Sequence, residues 1–120
     1  MTEHRQPGLP IGPVLLIGCG LIGTSVALGL SAQGVRVHLR DQNPANVALA
    51  ESLGAGVSGP VAEPSLVVVA TPPSVVVSGV QAALAEFKNA TVTDVASVKR
   101  SIVEKIDDPR FVGGHPMAGK

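Results

Sequence analysis

Three glycines stand in GxGxxG spacing near the start of the chain, Gly18-Cys19-Gly20-Leu21-Ile22-Gly23. A short apolar run, Val14–Ile17, precedes them, and apolar residues at 22, 26, 27 and 30 follow on one helical face. That strand–turn–helix context makes the motif a dinucleotide fingerprint rather than a chance cluster. Gly18 permits the tight turn, Gly20 lets backbone approach a pyrophosphate, and Gly23 lets the helix pack closely on the strand. The helix start, including Leu21 and Ile22, offers N–H groups and a positive dipole end to phosphates. Asp41 follows about 20 residues on, where a carboxylate accepts from ribose hydroxyls and repels a 2′-phosphate, favouring NAD over NADP. Arg40, next to it, pulls the other way.

A second chemical element closes the chain: Gly113-Gly114-His115-Pro116-Met117-Ala118-Gly119. His115 sits in a Gly/Pro-framed loop after a last short apolar run. A lone histidine is often structural, yet imidazole near pKa 6.5 is the natural base for a hydroxyl proton lost during hydride transfer. Thr71-Pro72-Pro73 follows an apolar strand; Thr71 either caps the next helix or lines a cofactor site through its backbone. Ser97, in Asp94-Val95-Ala96-Ser97-Val98-Lys99, either caps a helix or shares in the site, and Lys99 reads as a solvated charge. Cys19 is filler rather than nucleophile, since no partner base is evident.

These residues need a scaffold, and the periodicity supplies one. Strands are expected at 14–17, 35–39, near 57, at 66–70, 91–95 and 110–113. Helices are expected at 21–33, 44–53, 74–87 and 97–106. Asn43-Pro44 gives the second helix a cap and a proline at its first position, and Gly34 ends the first. Valines 75–77 weaken helix propensity in the third. The Gly/Pro-rich 54–65 stretch has room for one helical turn besides its strand. Alternating strand and helix predicts an α/β fold, a doubly wound parallel sheet over 13–120, after a flexible leader at 1–12.

Composition agrees. The chain has 120 residues, enough for one domain, with 45% hydrophobic and 15% charged residues. Two Phe, no Tyr and no Trp leave a core of small branched residues, which suits strands buried on both faces. Nine basic and nine acidic residues give zero formal charge, against a nucleic acid or a membrane surface as partner. One cysteine excludes an internal disulfide and a Cys-rich zinc site, and no metal site is expected. With no apolar run of about 18 residues and no signal peptide, the cytoplasm is the expected location.

Gly-Leu-Ile-Gly-Thr-Ser at 20–25, Asp-Val-Ala-Ser-Val-Lys at 94–99 and Gly-Gly-His-Pro-Met-Ala-Gly at 113–119, in that order, strongly resemble the prephenate/arogenate dehydrogenase family of tyrosine biosynthesis. The resemblance implies a Rossmann NAD-binding domain and oxidative decarboxylation of prephenate to 4-hydroxyphenylpyruvate, or of arogenate to tyrosine. It makes His115 the catalytic base for the substrate hydroxyl. It makes Ser97 the serine that hydrogen-bonds this histidine and the nicotinamide end. The family also has a mostly helical C-terminal domain that forms a homodimer and binds the substrate carboxylate, and this chain stops before it. The expectation is therefore a truncated dehydrogenase that binds NAD, turns over weakly or not at all, and exposes apolar surface. Competing readings are another Rossmann oxidoreductase, disfavoured by the histidine motif, and a non-catalytic nucleotide-binding module.

Overall fold

The computed structural model describes residues 12–95 and 110–112. Residues 1–11 of the expected leader, the helix at 97–106, Ser97, Lys99 and the His115 motif lie outside the described residues.

Strand β1 (Val14–Ile17) leads into helix α1 (Leu21–Ala32), β2 (Val37–Arg40), α2 (Pro44–Ser52) and β3 (Val57–Ser58). Then come β4 (Leu66–Val69), α3 (Pro73–Glu86), β5 (Thr91–Asp94) and β6 (Phe111–Val112). All pairings are parallel, in the order β3-β2-β1-β4-β5-β6. In the central register Leu15 lies between His38 and Val67. This is the doubly wound order, whose direction of winding reverses between β1 and β4, so a crevice opens beyond the carboxyl ends of those two strands.

Side-chain alternation along each strand divides the core in two. Leu15, Val67, Val69 and Val92 pack under α3 with Val76, Val80, Ala83, Leu84 and Phe87. Val14, Leu16, Val37, Leu39 and Val68 pack on the other face with Ala27 of α1 and Ala50 of α2. Burying one such valine or leucine stabilises the fold by roughly 1.5–3 kcal/mol. That burial outweighs the poor helix propensity of valines 75–77: Val76, Val80, Ala83 and Leu84 form one buried stripe on α3.

Several expected boundaries shift for identifiable reasons. β2 begins at Val37 rather than 35, because the Val35 N–H donates to the Leu30 carbonyl and closes α1 instead of entering the ladder. Gly34 holds φ +86 there, as a helix-ending glycine does. The 54–65 stretch holds the short β3 but no helical turn. Pro60 and Pro64 each remove a backbone donor from it. α3 starts one residue early, with Pro73 in its first turn, and the β4 ladder ends at Val69. Asn43 caps α2 as expected, its side chain accepting from the Ala45 N–H at 3.0 Å.

Candidate nucleotide site

The three fingerprint glycines sit in three different environments. Gly18 has φ +102, and a Cβ there would lie 2.7 Å from the Ala70 carbonyl at the end of β4. A Cβ on Gly23 would collide with the Gly18 carbonyl oxygen and lie 3.1 Å from the Ala70 side chain. Both positions are glycine because the protein's own backbone passes too close for anything else. Around Gly20, by contrast, a Cβ would meet nothing within 4 Å. Its bare side opens into a cleft of about 1140 Å³ beyond the ends of β1 and β4.

That cleft collects the residues singled out above. Gly18, Gly20, Leu21, Ile22, Asp41 and Thr71 all line it. α1 begins there with Gly20 at its cap, and no side chain caps the helix. Leu21 is 87% and Ile22 57% exposed, so the first turn presents apolar side chains to the opening. Asp41 anchors the loop. Its Oδ2 accepts from the Cys19 N–H at 2.7 Å, and its Oδ1 accepts from the Asn43 N–H at 2.8 Å and from Asn46 Nδ2 at 3.4 Å. The carboxylate stays half-buried, with lone pairs to spare for further donors.

Thr71 does not cap α3. The capping position is Pro72, and no side chain caps that helix. Thr71 Oγ1 is buried without a hydrogen-bond partner and faces Gly79, whose missing Cβ would lie 3.7 Å from it. Cys19 is buried, and its thiol donates to the Arg40 carbonyl at 3.7 Å. Burial, reinforced by the Asp41 charge, raises its pKa above 9.0, and the Arg40 contact opposes this. The thiol is protonated near neutral pH, as filler should be.

Two features had no signal in the sequence. Arg40 reaches across the sheet to Glu86 at the end of α3, its two terminal nitrogens donating to the two carboxylate oxygens at 3.0 and 3.3 Å. The two residues are 46 positions apart. Asp94, the first residue of the 94–99 motif, is fully buried at the end of β5, a burial that its charge and position do not announce. Val95, the next residue, lines the cleft, so the chain leaves β5 at the site. Among the described residues, no group of His, Cys, Asp and Glu could hold a metal ion, and no helix is long and apolar enough to cross a membrane.

The family model described as "Prephenate dehydrogenase, nucleotide-binding domain" matches residues 26–120. The chain belongs to the prephenate dehydrogenase family. The "Probable prephenate dehydrogenase NovF" of Streptomyces niveus is 37% identical over 88% of this chain and 31% of its own length. The crystal structure of an A. aeolicus prephenate dehydrogenase, in complex with hydroxyphenyl propionate and NAD+, superimposes with a TM-score of 0.77. It is 30% identical and covers 94% of this chain and 44% of that one. A Synechocystis arogenate dehydrogenase structure matches with a TM-score of 0.74 at 26% identity, over 90% of this chain and 42% of that one. The chain thus spans about a third of the curated family relatives it matches.

Proposed function

We propose that this chain is the NAD-binding portion of a prephenate dehydrogenase. The observation that carries the reading is the open side of Gly20, set in one cleft with the uncapped start of α1 and the Asp41 carboxylate. A pyrophosphate fits against Gly20 and the N–H groups of Leu21, Ile22 and Gly23, where the helix dipole favours its charge. The adenosine ribose hydroxyls donate to Asp41. Thr71 borders the same cleft, and its buried hydroxyl is suited to a ligand that brings it a partner.

When bound, NAD supplies the hydride acceptor for oxidative decarboxylation, and loss of carbon dioxide aromatises the substrate ring. On the family resemblance, His115 takes the proton from the substrate hydroxyl, and Ser97 hydrogen-bonds the imidazole and orients it. An imidazole held by a second polar group is poised as a general base near neutral pH. The substrate is prephenate, as in the names of the curated relatives; arogenate is the second reading, supported by the Synechocystis structure. The cytoplasm and a homodimeric whole protein belong to the same proposal.

The test pairs two assays on the chain: NADH binding by fluorescence, and prephenate-dependent NADH production. Binding is expected. Turnover is expected to be absent or very weak until a family C-terminal half is fused to the chain, and to disappear from that fusion in a His115→Asn variant. A folded chain that does not bind NADH overturns the cofactor reading. A fusion that binds but turns over neither prephenate nor arogenate leaves a non-catalytic nucleotide module.

A further inference from the structure

Arg40 and Asp41 stand side by side where β2 ends, and both line the nucleotide cleft. They pull in opposite directions: a carboxylate there repels a 2′-phosphate, whereas a nearby arginine accommodates one. The structure holds the arginine in a particular place. Both terminal nitrogens are taken by Glu86, and the guanidinium lies 5.7 Å from the centroid of the Phe87 ring. A two-pronged arginine–carboxylate contact fixes the plane of the guanidinium as well as its position. Glu86 is the final residue of α3, where a carboxylate faces the negative end of the helix dipole. The helix dipole therefore disfavours an acid at that position, whereas pairing with Arg40 favours one.

We infer that Glu86 is a specificity-determining residue: it sequesters Arg40 and so keeps the nucleotide site selective for NAD over NADP. The inference rests on the dinucleotide reading of the cleft and adds to it the group that decides between the two coenzymes. With Glu86 in place, the corner holds two carboxylates, Asp41 and Glu86, and one guanidinium already engaged. A 2′-phosphate dianion meets net negative charge and a guanidinium whose end-on donor fork is already occupied. Without Glu86, the guanidinium is released beside the ribose site and one negative charge is gone. The arginine and glutamate side chains are 40% and 49% exposed, so the latch is weak and its release changes affinity modestly rather than by orders of magnitude.

The experiment measures dissociation constants of NADH and NADPH for the 120-residue chain and its variants by calorimetry, and reads their ratio. Glu86→Gln and Glu86→Ala should each shift that ratio toward NADPH by about two- to fivefold, the scale of one exposed ion pair. Adding Arg40→Met to Glu86→Ala should abolish the shift, because the gain runs through the guanidinium. Far-UV circular dichroism confirms folding, and the two Glu86 variants guard against a fault in either one. An unchanged ratio with NADH still bound overturns the inference and leaves the dinucleotide reading intact. A shift that survives Arg40→Met also overturns it, since simple charge removal would then suffice. Loss of NADH binding by the unmodified chain overturns both.

Discussion

The Cys19 N–H donates to Asp41 Oδ2 at 2.7 Å, so the glycine turn after β1 is fastened to the end of β2 by a carboxylate that also lines the cleft. One side chain thus shapes the glycine turn and lines the cleft in which we propose the nucleoside binds. Replacing it should affect both. Asp41→Asn loses the charge-assisted contacts to the Cys19 and Asn43 N–H groups, at about 1–3 kcal/mol of stability. It should also weaken NADH binding by about tenfold, the value of one hydrogen bond to a charged group. Urea denaturation and a binding titration on the same variant separate the two losses.

The fingerprint glycines should divide by mutation. Gly20→Ala adds a methyl into open space, so the melting temperature should stay within a few degrees while NADH affinity falls at least tenfold. Gly23→Ala drives a methyl into the Gly18 carbonyl oxygen and should cost about 1–3 kcal/mol, as overpacking does. If Gly20→Ala lowered stability as much as Gly23→Ala, the open side of Gly20 would have no bearing on a ligand.

Cys19 gives a pH dependence whose sign follows from burial. Its thiol pKa is raised in the folded chain above 9.0. Below that value both folded and unfolded chains hold the proton, and the contribution to stability is constant. As pH rises past 9.0 the unfolded chain ionises first, so stability falls until the folded pKa is passed. Unfolding midpoints at pH 8 and pH 10 should show a loss that is smaller in Cys19→Ala. Iodoacetamide should modify the native thiol slowly at pH 8 and the unfolded thiol readily.

Arg110, just before β6, donates to the Phe87 carbonyl at 2.6 Å and to the Leu84 carbonyl at 2.7 Å, satisfying acceptors at the end of α3. Arg110→Met should destabilise the chain by about 1–3 kcal/mol in urea unfolding, because those carbonyls lose a charged donor. Phe87 and Leu84 line the core beneath, so the loss should appear as a shifted midpoint with an unchanged slope.

The sheet and its crevice were legible because local patterns there agree with tertiary need. Val14–Ile17 and Leu66–Val69 are wholly apolar and largely buried on both faces, and Gly18 and Gly23 of the fingerprint serve backbone contacts that only glycine permits. Asn43-Pro44 announces its helix by chemistry contained within two residues. Thr71 misled in part: a threonine before two prolines looks like a cap, yet Pro72 takes the capping position and the hydroxyl turns inward toward Gly79. The Arg40–Glu86 and Arg110–Leu84 contacts were invisible because each joins residues brought together only by the winding of the sheet. The roles of Ser97 and His115 rest on motif resemblance alone, since both lie outside the described residues.

β3, the strand at the outer margin beside β2, is only Val57–Ser58, and a prolyl residue follows at Pro60. A strand that short offers an incoming chain too few exposed peptide groups to template a continuing ladder, and the proline caps the supply. Growth of the sheet into a neighbouring molecule is thereby discouraged at this margin, even with the exposed apolar side chains of Leu49, Leu53 and Val57 on β3 and the helix beside it.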